Sequence, residues 1–327
     1  MKIGILGATG AVGRQMLECI EERKFAVEEL RLFASKNSAG KVIEYNGEDI
    51  IIQEVKDGCF DGLDYVLGAV ENEYAKMYWP MIEKSGAIFV DNSSAFRLND
   101  DVPLVVPEIN GEDALKHHGL IANPNCSTII TMMAVAAISK MSKIEYMYTS
   151  TYQAVSGAGQ KGIEELEDEI IKLNNNEEVI PSTFRKQIAY NCIAEIGSYN
   201  ENGYTTEEMK MQNEGRKILH LPELKVSCTC VRVPVYRSHS ISVNLVTEDR
   251  LDLDDLKKNI DGFPGVEYHD DVPTPLEVAD KDIVYVGRIR RDLCNENGIS
   301  LWCCGDQIRK GAASNAVEII EFLENHK

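Results

Sequence analysis

No apolar run in the 327 residues approaches the roughly 20 that a membrane-spanning helix needs, which excludes a bilayer-spanning reading. Positive charge is scarce: 34 Lys and Arg stand against 53 Asp and Glu, for a formal net charge of -19, and the basic residues form no dense cluster. A field of that sign repels nucleic acid and anionic membrane surfaces, so neither is expected as a partner. Any anionic substrate must then be gathered by a few converging Lys and Arg side chains. Paired Cys-x-x-Cys motifs are missing although there are nine cysteines. An odd count with one Cys-x-Cys (Cys228, Cys230) and one vicinal pair (Cys303, Cys304) makes neither a disulfide framework nor a zinc ribbon, and no metal site is expected. Most of these thiols lie in apolar strand-like runs, where they act as small core hydrophobes. A leader pattern is also missing, since Met1-Lys2 runs straight into Ile3-Gly4-Ile5-Leu6, and the expected compartment is the cytoplasm. There is no internal repeat or low-complexity tract.

What is present is a globular composition, 44% apolar and 27% charged, at a length that favours two packed domains. Residues 2 to 6 read as a buried strand, followed by a Gly-rich turn and a helix over Ala11 to Arg23 with Val12, Met16, Leu17 and Ile20 on one face. Apolar runs at Leu30 to Ala34, Tyr65 to Val70, Ala87 to Val90 and Leu120 to Ala122 predict parallel strands buried on both faces, so the first third is doubly wound α/β. After about residue 140 the strands lengthen and alternate: Ile144 to Ala154, Lys225 to Val235, His239 to Thr247, Ile283 to Arg290 and Ile299 to Cys304. A second, α+β domain with a mostly antiparallel sheet is expected, covered by helices at Gln160 to Leu173 and Leu251 to Ile260. A last helix, Gly311 to Asn325, is expected to return to the first domain. The expected division is 1–125 with 307–327, and 126–306.

Two local patterns carry chemistry. Gly7-Ala8-Thr9-Gly10-Ala11-Val12-Gly13 sets glycines three apart at a strand-to-helix turn, where a backbone can approach a pyrophosphate and a helix N-terminus offers free N–H groups. A tight turn that merely packs helix on strand is the plainer reading, but the position at the start of an α/β pattern favours a dinucleotide. Where NAD would call for a carboxylate near its ribose, the chain reads Phe33-Ala34-Ser35-Lys36-Asn37-Ser38, which accepts a 2′-phosphate without repulsion, so NADP is favoured. The second pattern, Ile121-Ala122-Asn123-Pro124-Asn125-Cys126-Ser127-Thr128, leaves a strand, turns, and enters a helix over Ser127 to Ile138 with a cysteine at its mouth. A thiolate there is stabilised by the helix dipole and free N–H groups, which can also hold an oxyanion. The plainer reading, a buried capping thiol, would suit most lone cysteines.

The Asn-Pro-Asn-Cys-Ser-Thr string closely resembles the nucleophile motif of aspartate-semialdehyde dehydrogenases. Thr151-Tyr152-Gln153-Ala154-Val155-Ser156-Gly157-Ala158-Gly159 resembles their substrate and nicotinamide loop, and Val231-Arg232-Val233-Pro234-Val235-Tyr236-Arg237-Ser238-His239-Ser240 is a further match. With the glycine turn, Asn92-Ser93-Ser94-Ala95-Phe96-Arg97 and Arg309-Lys310-Gly311-Ala312-Ala313-Ser314-Asn315-Ala316, the resemblance runs in order along nearly the whole chain.

That resemblance implies a Rossmann-type NADP-binding domain joined to a catalytic and dimerisation domain. It implies Cys126 as nucleophile, Gln153 orienting the acyl group, Arg232 pairing with the substrate α-carboxylate and His239 as acid/base. It further implies Arg97 and Lys210 for phosphate, Glu207 for the substrate ammonium and Asn125 beside substrate. For the cofactor it implies Gly7, Thr9, Gly10, Ala11, Val12, Gly13, Ser35, Ser38, Ser156, Gly157, Gly159 and Asn315. Arg232 offers a planar fork suited to a carboxylate, and an imidazole exchanges protons near neutrality. In isolation His239 reads equally as a satisfied structural histidine, Arg232 as a solvated strand charge, and Glu207 with Lys210 as a surface ion pair. The chain departs from the family at Gly68-Ala69-Val70-Glu71-Asn72-Glu73, where an acidic residue would crowd a pyrophosphate.

The expected reaction is NADPH-dependent conversion of aspartyl phosphate to aspartate semialdehyde and phosphate through a Cys126 thioester, in a homodimer or dimer of dimers. The rivals are N-acetyl-γ-glutamyl-phosphate reductase, whose nucleophile string reads Asn-Pro-Gly-Cys where position 125 here is Asn, and a non-catalytic NADP-binding sensor.

Overall fold

The computed structural model describes the whole chain, Met1–Lys327, as two compact units, residues 1–125 with 311–327 and residues 126–310. The first unit begins β1 (Lys2–Leu6), α1 (Ala11–Glu22), β2 (Glu29–Ala34), β3 (Val42–Tyr45), β4 (Glu48–Ile51) and β5 (Gln53–Glu54). It continues β6 (Tyr65–Gly68), α2 (Asn72–Ser85), β7 (Ile88–Asp91), α3 (Pro107–Asn110) and β8 (Leu120–Ala122). Six strands form an all-parallel sheet in the order β5-β2-β1-β6-β7-β8. In such sheets ligands bind beyond the carboxyl ends of the strands, where the order reverses, which here is at β1. Ile3 and Ile5 of β1 are buried with Leu32, Leu67 and Val90 of the other strands and Met16, Leu17 and Ile20 of α1. The turn after β1 is fixed by close approach: Gly7 has φ +87°, and a Cβ there would lie 2.3 Å from the Ala69 carbonyl oxygen. At Gly13 a Cβ would lie 2.3 Å from the Gly7 carbonyl oxygen.

The second unit runs α4 (Cys126–Ser139), β9 (Ile144–Gln153), α5 (Gln160–Asn174), α6 (Thr206–Ile218), β10 (Lys225–Arg232) and β11 (His239–Thr247). It ends with α7 (Leu253–Asp261), β12 (Val266–His269), α8 (Pro275–Val278), β13 (Val284–Arg291) and β14 (Gly298–Gly305). Its six-stranded sheet has the order β10-β9-β11-β14-β13-β12. The three central pairings are antiparallel, and the two outer ones, β10 with β9 and β12 with β13, are parallel, so the sheet is mixed. Helix α4 is buried on every side from Ser127 to Ile138, as a helix apolar all round must be, and packs against β9, β11, β13 and β14. Helix α7 covers β12 and β13. Helix α5, expected over the sheet, packs principally against Val155, Ile188, Ala189 and Ile193. The chain then returns to the first unit as α9 (Ser314–Asn325), which packs on α1. Residues 307–310 stay with the second unit, where Gln307 bonds Ser156 and Ser238 and Arg309 pairs with Asp282 at 2.8 Å.

Candidate active site

Three neighbouring strands of the second unit place a polar side chain at the same edge. Gln153 is the last residue of β9 and Arg232 the last of β10, beside it in register, while His239 opens β11. Helix α4 presents Cys126 as its first residue, with Sγ 3.5 Å from His239 Nε2.

The His239 ring is completely buried, and the Ala154 backbone N–H donates to its Nδ1 at 3.1 Å. A neutral imidazole has one donor and one acceptor nitrogen, so this contact puts the proton on Nε2, facing the sulfur. Burial, and then the Arg232 charge, pull its pKa down to about 3, against weaker opposing effects of Glu207 and the Ser238 carbonyl. The ring therefore differs from the proton exchanger expected near neutrality: in this arrangement it is a neutral donor. Ser238, just before it, holds the left-handed φ of 75°, and its N–H donates to Gln307 Oε1 at 2.6 Å. Such a conformation in a non-glycine residue persists where surrounding contacts enforce it. The alkylation rate of Cys126 in the free enzyme should consequently rise with pH in a single step that belongs to the thiol. Stopped-flow alkylation of wild type and His239→Asn checks this. An inflection near the ordinary histidine value of about 6.5, lost in the variant, would show that the ring titrates after all.

Arg232 is buried, donates from Nη1 to the Ala154 carbonyl at 2.6 Å, and lies 5.8 Å over the Phe184 ring. Gly157 backs it: a Cβ there would be 2.7 Å from Arg232 Nη1 and 3.4 Å from the His239 ring. Gln153 donates from Nε2 to Glu207 Oε1 at 3.3 Å, and Glu207 Oε2 accepts from Lys210 at 2.8 Å. Both of these come from α6, whose first turn is held by a capping box between Thr205 and Glu208. The same Glu208 accepts from the Cys230 N–H at 3.1 Å, tying α6 to β10. Cys126, Gln153, Glu207, Lys210, Arg232 and His239 are thus gathered in one unit, with Ser156 and Gly157 behind them. Ser156 Oγ accepts from Gln307, and Gly159 caps α5.

The remaining sequence-predicted residues belong to the first unit. A cleft of about 270 Å³ is lined by Gly7, Thr9, Gly10, Ser35, Val70, Tyr74 and Tyr78 among others. Ala11, Val12 and Gly13 form the first turn of α1 at its edge. Packing explains Gly7 and Gly13, whereas a Cβ on Gly10 would meet only the Gly7 carbonyl oxygen, at 3.5 Å, and Gly10 lines the cleft. Ser35 is exposed and Ser38 half-buried, and the turn they form carries no carboxylate. Glu71 and Glu73 are exposed and do not line the cleft, while Asn72 Oδ1 accepts from the Ser94 N–H at 2.8 Å, so the departure from the family pattern anchors the Ser94 turn and does not crowd the cleft. Asn315 is fully buried and donates to Val105 O and Asn123 Oδ1, and its own Oδ1 has no partner in the protein, an acceptor suited to a carboxamide N–H. Arg97 is buried near Asp91 and donates to Asn92 O at 2.8 Å; Asn125 is buried one residue before Cys126. The residues present fit a dinucleotide.

Sequence reasoning missed Thr151, the Ala154 amide, Phe184 and Gln307. The motif strings contain Thr151 and Ala154, but a backbone donor leaves no mark in composition. Phe184 and Gln307 reach the site only through tertiary packing.

Residues 2–118 match the family described as semialdehyde dehydrogenase, NAD binding domain, and residues 135–310 match semialdehyde dehydrogenase, dimerisation domain. The chain is 42% identical to the aspartate-semialdehyde dehydrogenase of Bacillus subtilis, over 99% of this chain and 97% of that protein. The crystal structure of aspartate semialdehyde dehydrogenase II from Vibrio cholerae superposes with a TM-score of 0.97 at 41% identity, covering 99% of this chain and 98% of the other. A Candida albicans aspartate semialdehyde dehydrogenase, solved with NADP, matches at 25% identity and a TM-score of 0.75, covering 99% and 98%. The shared motifs, both matched domains and the full-length identity place this chain in the aspartate-semialdehyde dehydrogenase family.

Proposed function

We propose that the chain converts L-4-aspartyl phosphate to L-aspartate 4-semialdehyde and phosphate with NADPH, through a thioester on Cys126. The observation that carries this is Cys126 at the mouth of α4, 3.5 Å from His239 Nε2, with Arg232 beside both. The helix N-terminus, the Nε2–H and the Arg232 charge all favour the thiolate. Its attack on the acyl carbon expels phosphate and leaves the thioester. NADPH, when bound, supplies the hydride that reduces this acyl group to the aldehyde level. Collapse of the resulting thiohemiacetal returns the thiolate.

The oxyanion at each stage is served by α4 N–H groups and by His239 Nε2–H. With Nδ1 accepting from the Ala154 N–H, the ring acts through Nε2, whose proton is shared with the leaving oxygen as negative charge develops there. Gln153 orients the acyl group, Arg232 grips the α-carboxylate, Glu207 receives the ammonium, and Lys210 and Arg97 serve phosphate, with Asn125 beside substrate.

The cofactor rests on Gly7, Thr9, Gly10, Ala11, Val12 and Gly13, its 2′-phosphate on Ser35 and Ser38, and its nicotinamide end on Ser156, Gly157, Gly159 and Asn315. The chain works in the cytoplasm as a homodimer through its second unit, or as a dimer of such dimers. No helix is long and apolar enough to cross a membrane.

Phosphate-dependent reduction of NADP with aspartate semialdehyde should proceed, with NAD a poorer acceptor and the N-acetylglutamate analogue inert. Turnover of that analogue alone would favour the N-acetyl-γ-glutamyl-phosphate reductase reading. NADP binding with neither substrate turned over would favour the sensor, and equal efficiency with NAD would remove the argument from Ser35.

A further inference from the structure

We infer that Thr151 is a positioning residue for this reaction, fixing which way round the Gln153 amide is held. The inference rests on the role just given to Gln153. Both residues lie on β9 two apart, so their side chains share one face of the sheet. Thr151 is fully buried, and its hydroxyl donates to Gln153 Oε1 at 2.9 Å. The opposite end of that amide donates to Glu207 Oε1 at 3.3 Å. A reversed amide would turn its carbonyl oxygen toward the Glu207 carboxylate and lose the donor from Thr151. Held as it is, the amide keeps its second N–H for the acyl oxygen of the substrate.

A hydroxyl can donate or accept, so the direction of its proton needs a cause of its own. Glu207 supplies it: a carboxylate only accepts, so Nε2 of Gln153 faces it and Oε1, which also only accepts, faces Thr151. The hydroxyl proton is thereby committed to Gln153.

The test compares Thr151→Val, Thr151→Ser, Gln153→Ala and Thr151→Val combined with Gln153→Ala. Oxidation of aspartate semialdehyde is measured per NADPH-binding site, counted by fluorescence titration so that misfolded protein is not scored. Removing one buried donor should lower kcat about tenfold in the Val variant, and Ser should stay within about twofold of wild type. The NADPH dissociation constant should not move. In the Gln153→Ala background the Val substitution should cost nothing further, because a residue that acts only through Gln153 has nothing left to position. Wild-type kcat in Thr151→Val, a Ser variant no better than Val, or an equal further loss without Gln153 would overturn the inference. Inactive wild-type protein would overturn the functional reading itself. An active wild type with an impaired Gln153→Ala but an unaffected Thr151→Val would overturn the positioning role alone.

Discussion

Cys126→Ala should abolish semialdehyde turnover, by at least about ten-thousand-fold, and leave NADPH binding nearly unchanged. In the proposed mechanism the thiol forms the acyl bond, since Lys210 is tied to Glu207 and His239 faces the sulfur, and every later step acts on what the thiol carries. Its neighbours can stabilise charge but cannot replace a sulfur nucleophile. The proposed cofactor placement rests mainly on the glycine turn of the first unit, where α1 begins at Ala11, away from the thiol. Folding should tolerate the change, since Cys126 is half-buried and the apolar body of α4 begins after it. Kinetics of the variant beside a fluorescence titration of NADPH check both halves. Because Cys192 and Cys294 are exposed, thiol labelling must be read at the Cys126 peptide by mass spectrometry. Substantial residual turnover would sink the thioester mechanism, and lost cofactor binding would mean that the thiol holds the fold or the cofactor as well.

How much of this was legible in the sequence depends on whether a feature is local. Strands β1, β2, β6, β7 and β8 and helices α1, α4 and α9 were readable because continuous apolar runs and a 3.6-residue period are local signals, whereas the two polar residues of β5 carry neither. The hairpin of β3 and β4 carried a signal that went unused: Asn46-Gly47, with φ 50° and 79°, is the pair a two-residue hairpin turn prefers. The parallel outer pairs of the second sheet were not legible. Alternation reveals that a strand is half-buried, but not which neighbour it chooses or in which direction.

The site divides along the same line. Cys126, Gln153, Arg232 and His239 were named from their motif strings, and the structure brings all four to one edge. The state of His239 could not be read, because it follows from complete burial, the Arg232 charge and a backbone N–H at Nδ1, none of which is local. The motif implies Gly157 for the cofactor, yet a Cβ there would already crowd Arg232 Nη1 at 2.7 Å and displace the guanidinium. A glycine in a motif therefore does not by itself point to a ligand.

Arg232→Lys should lower kcat/KM for aspartate semialdehyde by on the order of a hundredfold, the size of loss that follows when a reacting group is held slightly out of place. A protein with a net charge of -19 needs a local cation for a carboxylate substrate, and a buried Arg at the end of β10 provides one. The guanidinium is itself held on several sides: Nη1 donates to the Ala154 carbonyl, Phe184 lies under it, and Gly157 allows it to approach the His239 ring. Its backbone is fixed as well, exchanging N–H and carbonyl hydrogen bonds with Ile193 at 2.8 and 2.9 Å. The fork is therefore preorganised for two parallel bonds to a carboxylate. Lysine keeps the charge, but its ammonium cannot give a donor to Ala154 and two parallel donors to a carboxylate in the same geometry. Since the positive charge remains, His239 should stay neutral and Cys126 should react with a small neutral alkylating reagent at the wild-type rate. Steady-state kinetics and alkylation, measured on the same preparation, separate the possible outcomes. Normal turnover would remove Arg232 from the substrate site. Slowed alkylation with unchanged substrate affinity would mean that the guanidinium acts on the thiolate and not on the substrate carboxylate.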